Sequence, residues 1–266
     1  MKPLKRLLIT GAAGQLGAAV RNRFGHIADK VRLSDVADFD AENAEAETVR
    51  CDLADYDAVQ RLVAGCDGVV HLGGVSVEDK FSKILKANIE GVYNLYEAAR
   101  KNGSPRILFA SSNHVIGFHS PLDRLDNTAE IKPDGLYGVS KSFGEATAKL
   151  YHAKFGIETA IVRIGSCFPE PKDRRMLSTW LSHDDFVSLV VSVFRAPLLG
   201  CPVIYGVSAN DAAWWDNSKV SYLGWQPQDN AERFRAIVED QSPMPGRDDP
   251  AARYQGGKFT TDPIFE

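Results

Sequence analysis

The chain has 266 residues, 44% of them apolar, and 35 acidic against 31 basic side chains give a formal net charge of −4. That length provides for one large or two modest domains with a sizeable core, and the mild acidity excludes a surface built for nucleic acid. No apolar run reaches the ~18 residues that suggest a membrane span, and the basic start Met1-Lys2-Pro3-Leu4-Lys5-Arg6 leads straight into a short strand rather than a secretory leader.

Residues 4–10 are β-prone and stop at Gly11-Ala12-Ala13-Gly14-Gln15-Leu16-Gly17, after which a helical pattern runs to about Phe24. Strand, glycine turn and helix are the context in which this spacing means a dinucleotide phosphate site. Gly11 permits the tight turn, Gly14 leaves room for the pyrophosphate and Gly17 lets helix and sheet approach. Gln15 and Leu16 belong to the same phosphate-facing turn. A second strand, Val31–Asp35, ends in a carboxylate 18 residues after Gly17. An acid there accepts hydrogen bonds from ribose hydroxyls and repels a 2′-phosphate, which selects NAD over NADP. Strand alternation turns Arg32 away from that role.

A third strand covers residues 48–53. Its end suits an adenine, with Asp52 on the amine and Leu53 on the ring face; Asp52 could instead cap a helix starting near Asp55. Residues 69–76 form a fourth strand running into a glycine turn. There Leu72, Gly73 and Gly74 let the backbone approach the cofactor, Ser76 emerges above, and His71 reads as a satisfied core residue. The apolar pattern predicts a helix over 81–100 that contains Asn88 and Gly91, the glycine for close packing. A fifth strand, residues 106–112, continues to Gly117 and brings Ser111 and Ser112 to the carboxyl edge of the sheet, where ligands bind in open α/β folds.

The next helix carries Tyr137 and Lys141 on one face and ends near Phe155. A phenol ionises near pH ~10 and a neighbouring ammonium lowers that value, so the pair can supply a base; alone, it could equally be surface decoration. A sixth strand spans 157–164. Ser182-His183-Asp184-Asp185 is a capping box opening a helix to about Arg195, residues 202–205 form a short strand, and 230–240 a last helix. The tail from Gln241 lacks periodicity and is expected to wrap a surface or a second subunit of a homo-oligomer. Cys51, Cys66, Cys167 and Cys201 show no Cys-x-x-Cys spacing and read as reduced residues of a cytoplasmic protein.

At least six alternations of strand and helix predict an α/β fold, a doubly wound parallel sheet of the Rossmann type. Its core takes residues 1–165, and residues 166–266 form a small C-terminal substrate-binding lobe interleaved with the end of that core.

Taken together, Gly11-x-x-Gly14-x-x-Gly17, Asp52-Leu53, Asn88, Ser112 and Tyr137-x-x-x-Lys141 resemble the extended short-chain dehydrogenase/reductases over roughly residues 4–240. Within that family the chain resembles the uronate dehydrogenases, through Leu72–Ser76, Ser111–Gly117, Ile164–Cys167, Arg175–Asp185 and Ala213–Asn217. The resemblance implies NAD-dependent oxidation of a free hexuronate, glucuronate or galacturonate, at C1 to an aldarolactone, without a metal. By it Tyr137 is the base, Lys141 tunes Tyr137 and binds the nicotinamide ribose, Ser112 orients the reacting oxygen, and Asn88 holds a water. Arg175, with Arg174 as the adjacent alternative, binds the substrate carboxylate. Ser76, Asn113, His114 and Ser166 contact the sugar, and Cys167 offers backbone to the nicotinamide. Trp180, Trp214 and Trp215 either wall the pocket or pack the core. Two rivals remain: a nucleotide-sugar epimerase or dehydratase of the same family, for which the ~100 residues after the sixth strand leave little room, and a non-catalytic NAD-binding redox sensor.

Overall fold

The computed structural model describes residues 4–41, 43 and 45–266; the basic start at residues 1–3 lies outside them. Along the chain run β1 (Leu7–Thr10), α1 (Gln15–Val20), β2 (Val31–Asp35), β3 (Glu47–Arg50), α2 (Tyr56–Val63) and β4 (Gly68–His71). After them come α3 (Phe81–Ile84), α4 (Gly91–Lys101), β5 (Arg106–Ser112), β6 (Leu125–Asp126), α5 (Leu136–Phe155), β7 (Thr159–Ile164) and β8 (Ser166–Cys167). The last third holds α6 (Met176–Thr179), β9 (Trp180–Leu181), α7 (His183–Arg195), β10 (Val203–Gly206), β11 (Trp215–Asp216), α8 (Arg235–Gln241) and α9 (Pro250–Arg253).

Seven of these strands form one parallel sheet in the order β10-β7-β5-β4-β1-β2-β3. The chain lays β1 to β3 outward in one direction, then returns to put β4 on the other side of β1. That reversal opens a crevice above the carboxyl ends of β1 and β4. Strand residues alternate between two cores. Leu7, Ile9, Leu33, Val70, Leu108 and Val162 pack under α1 and α7, while Leu8, Val69, Ile107, Phe109 and Ile161 pack under α2, α4 and α5.

The segment past residue 165 is divided. α7 and β10 complete the main sheet and its core, so the short strand expected at 202–205 is its edge. Val220 and Leu223 join the same core, and two small clusters take other parts of the segment, one around Tyr205 and Trp215, the other around Trp180 and Val238. Trp180 and Trp215 are therefore core residues. At the start of α7, Ser182 Oγ accepts from Asp185 N as expected, but the Asp185 carboxylate turns away. It accepts from the Ser208 hydroxyl and from the backbone of Gln228 and Asp229 instead.

Two expectations need correction. β5 ends at Ser112, because Ser112 Oγ accepts from His114 N and Asn113–Ile116 coils into a 3-10 turn instead of extending the strand. The helix expected over 81–100 carries a π-helical stretch, Leu85–Glu90, between α3 and α4. Of the two places expected for the tail, the surface of its own chain is the one seen: it folds back through α9 and a 3-10 turn, Gly257–Thr261. No helix among the described residues is long and apolar enough to cross a membrane.

Candidate active site

The crevice is a cleft of about 660 Å³, within the size range of cofactor sites. Its floor is the turn between β1 and α1. Gly11 has φ +72°, and a Cβ on it would lie 2.7 Å from the backbone of Leu72 and Gly73. A Cβ on Gly17 would come within 2.0 Å of Gly11 O, so the helix rests directly on the turn. Gly14, Gln15, Leu16, Leu72, Gly73, Gly74 and Ser76 all line the cleft. Gly73 N donates to Thr10 Oγ1 (3.2 Å), which fixes the end of β4 beside that of β1.

Asp35 stands at the end of β2 on the cleft wall. Its Oδ2 accepts from Ala13 N at 2.9 Å and its Oδ1 from Ala37 N at 3.1 Å, so the carboxylate also braces the glycine turn. Arg32 points to the other face, where it pairs with Glu47. Asp52 and Leu53 line the far end. The cap of α2 is Asp55, which accepts from Ala58 N, and Asp52 accepts from Ala54 N; Asp52 is thus not the helix cap. Gly91 is explained by packing, since a Cβ there would meet Leu53 Cβ at 2.8 Å.

At the opposite end Ser112, Tyr137 and Lys141 converge, all buried and all lining the cleft. The first turn of α5 is held by Glu78, whose two carboxylate oxygens accept from Leu136 N (3.0 Å) and Tyr137 N (2.8 Å). Lys141 Nζ donates to Ala110 O at 2.9 Å and lies 5.7 Å from the Tyr137 ring centroid. Burial pulls its amine down to about 8. Burial pushes the Tyr137 phenol up to about 12; the Ser112 hydroxyl opposes this and the Asp134 charge adds to it. A lowered phenol is therefore not what the chain alone provides: desolvation is the largest influence on Tyr137, and the Lys141 ammonium is turned to the Ala110 carbonyl.

Asn88 is buried but stands behind the lining. Its Oδ1 accepts from Val75 N (2.8 Å), and its Nδ2 donates to Val75 O (3.0 Å) and Ser140 Oγ (2.9 Å). The side chain is fully used in joining the β4 loop to α5. His71 is buried as expected but only half satisfied: Nδ1 shares a hydrogen bond with Thr10 Oγ1 (2.8 Å) while Nε2 has no partner. Cys167 lines the cleft, and burial raises its thiol, which makes it a poor nucleophile.

Asn113 and His114 continue the wall. The Asn113 amide nitrogen donates to Ile164 O (3.0 Å) and its oxygen accepts from Arg175 Nη2. His114 Nδ1 is 2.7 Å from Asp134 Oδ2, and the Phe259 ring lies 4.0 Å from the imidazole. Arg175 and Ser166 sit just behind this wall. Arg175 Nε donates to Gln255 O (2.6 Å) and Nη1 to Ser166 Oγ (3.4 Å), which also bonds Thr179 Oγ1 (2.9 Å). All three acceptors of Arg175 are neutral, while Asp173 and Asp134 act on it from further away. Arg174 turns the other way and is spent on Glu239 and the Ser242 carbonyl. Glu78, Asp134 and Gln255 escaped the sequence reading because each reaches the site from a distant segment with no local spacing to mark it.

A glycine-floored cleft at the sheet's switch point, with an acid on β2 and Ser, Tyr and Lys at the other end, defines a dinucleotide-dependent enzyme of the extended short-chain dehydrogenase/reductase type. The model of the NAD dependent epimerase/dehydratase family matches residues 7–183, and the chain belongs to that family. It is 59% identical over 263 residues to the uronate dehydrogenase of Agrobacterium fabrum, covering 99% of each chain. The crystal structure of uronate dehydrogenase from Agrobacterium tumefaciens superposes with a TM-score of 0.96 at 59% identity, covering 98% of both chains. A mutant of that enzyme complexed with NAD gives the same TM-score and identity, over 98% of this chain and 99% of that one.

Proposed function

We propose that this chain oxidises a free hexuronate, glucuronate or galacturonate, at C1 with NAD. The observation that carries the reading is Arg175: a guanidinium held by three neutral acceptors next to the Ser112–Tyr137–Lys141 cluster, its charge left for an incoming carboxylate. The names and near-complete coverage of its relatives support it.

The cleft fits the cofactor, since side chains at Gly11 and Gly17 would fill or distort its floor. The Gly11–Gly17 turn would hold the pyrophosphate, Asp35 the adenosine ribose, Asp52 and Leu53 the adenine, and Leu72–Gly74 with Cys167 the nicotinamide side. When bound, NAD accepts the hydride from C1. Tyr137 Oη takes the proton of the C1 hydroxyl, and Ser112 Oγ orients that oxygen. Lys141 provides the positive charge beside the phenol and binds the nicotinamide ribose. Loss of one hydride and one proton from a cyclic hemiacetal leaves C1 bonded to the ring oxygen and doubly bonded to the other, so the product is a lactone. Arg175, with Asn113 and Ser166, holds the carboxylate, while His114 and Ser76 meet the sugar hydroxyls. Asn88 acts through Val75 and Ser140 rather than by direct contact.

The test is NADH formation with a panel of free uronates, neutral aldoses and UDP-sugars. Free uronates should be oxidised; turnover of UDP-sugars alone would move the assignment to a nucleotide-sugar enzyme. Arg175→Ala should raise KM for the uronate at least about tenfold, the loss of one charge-assisted contact, and leave KM for NAD nearly unchanged. A pure kcat effect would remove the carboxylate role. A cytoplasmic location fits the free cysteines. A homo-oligomer fits the exposed Val139, Phe143 and Leu150 on α5, and light scattering decides it.

A further inference from the structure

The substrate end of the cleft is closed by a segment that is remote from it in sequence. Gln255 is fully buried, and every polar group it carries is engaged. Its backbone N–H donates to His119 O (2.8 Å), its Nε2 donates to the carbonyls of Ser120 (3.0 Å) and Asp123 (3.1 Å), and its Oε1 accepts from Trp215 Nε1 (2.9 Å). Its backbone carbonyl is the acceptor for Arg175 Nε. The following residues lock into the same place. Gly256 N donates to Gly117 O (2.8 Å), and a Cβ on Gly256 would lie 2.0 Å from Asp134 Oδ2. Gly257, at φ +62°, passes so close to Arg175 that a Cβ would stand 3.0 Å from its Cδ.

An arginine side chain has several torsions and two nearby acids to turn towards, Asp134 and Asp173. Pairing with either would quench the charge that a substrate carboxylate needs. Fixing Nε removes that freedom and leaves the Nη edge facing Asn113 and Ser166. The geometry points to Gln255 as a positioning residue for carboxylate recognition: its side chain anchors the tail, and its backbone carbonyl sets the orientation of Arg175. The inference rests on Arg175 being the carboxylate binder, and it makes the C-terminal segment part of the substrate site.

Two variants test it, Gln255→Ala and the near-isosteric Gln255→Glu, which loses the two N–H donations. Both should raise KM for the uronate about tenfold or more, as a misplaced binding group does, with KM for NAD changed less than about twofold. Combined with Arg175→Ala, Gln255→Ala should add little, because both act on one contact. A second readout needs no turnover: the Arg175 Nε–H NMR signal, assigned by its loss in Arg175→Lys, should exchange slowly in the intact chain and fast in Gln255→Ala. An unchanged uronate KM in both variants, multiplicative losses in the double variant, or fast exchange in the intact chain would each overturn the inference. If the intact chain oxidises no free uronate, the functional reading falls, and the exchange measurement still decides whether Gln255 holds Arg175. If neither variant folds, the intact chain alone tests the inference: slow Nε–H exchange is expected, and fast exchange overturns it.

Discussion

Tyr137 and Lys141 share one helix face, yet burial drives their proton affinities apart, the phenol up to about 12 and the amine down to about 8. The free chain is thus expected to show no tyrosinate from Tyr137 at neutral pH; ultraviolet difference titration against Tyr137→Phe checks this. The same variant should lose turnover by about 10²–10⁴-fold, the usual worth of a general base, while still binding NAD, which equilibrium fluorescence measures. Retained turnover would mean another group takes the proton. His71 makes a different prediction. Burial, helped by the Lys141 charge, pulls its pKa down from 6.5 to about 3. The unfolded chain therefore binds a proton between those values that the folded chain refuses. Stability should fall as the pH drops through that window, by on the order of 1 kcal/mol per unit from this group. Denaturation midpoints at pH 6 and 4.5 should fall more steeply for the native chain than for His71→Gln; equal slopes would show that the imidazole is not held neutral.

At the scale of elements, each piece of the site is aimed by a neighbour. The end of β2 is tied to the glycine turn through Asp35, so Asp35→Ala should do two things at once. It should erode the preference for NAD over NADP and raise KM for NAD, as the ratio of kcat/KM values for the two cofactors will show. Arg32 cannot compensate by binding a 2′-phosphate, because it is buried on the opposite face against Glu47. Unchanged selectivity would mean that the ribose is read elsewhere. The π-helical stretch before α4 accompanies another such tie, with Asn88 spanning from Val75 to Ser140. The start of α5 is set by Glu78, two carboxylate oxygens on two backbone N–H groups where the helix dipole favours negative charge.

Across the whole molecule, sheet, helix layer and covering lobe are joined by one buried ion pair. Arg163 on β7 meets Glu145 on α5 through two 2.9 Å hydrogen bonds, with both side chains out of water. Ser111 on β5 donates to the same carboxylate, and the Arg163 guanidinium lies beside Tyr205 on β10. Glu145→Ala would strand the guanidinium, at a cost of about 3–5 kcal/mol. Urea unfolding should show it as a lowered midpoint at an unchanged slope; a loss below ~1 kcal/mol would show that water reaches the site and rehydrates the arginine. The pair lies on the sheet face behind Lys141, so the same variant tests how far the catalytic cluster depends on the global frame.

The sequence by itself determined the parts whose meaning is local. The spacing of Gly11, Gly14 and Gly17 after an apolar strand, the turn-to-turn spacing of Tyr137 and Lys141, and the apolar runs that become β1, β2, β5 and β7 follow from helix and strand periods and can be read along the chain. Only the tertiary structure shows that Arg174 and Arg175, adjacent and chemically identical, turn to opposite sides, one to Glu239 and the other to Gln255 and Asn113. It also decided that β5 stops at Ser112, that β10 finishes the sheet, and that the tail returns to the cleft. Those outcomes depend on which distant segment arrives to take a given donor, and no periodicity along the chain encodes that arrival.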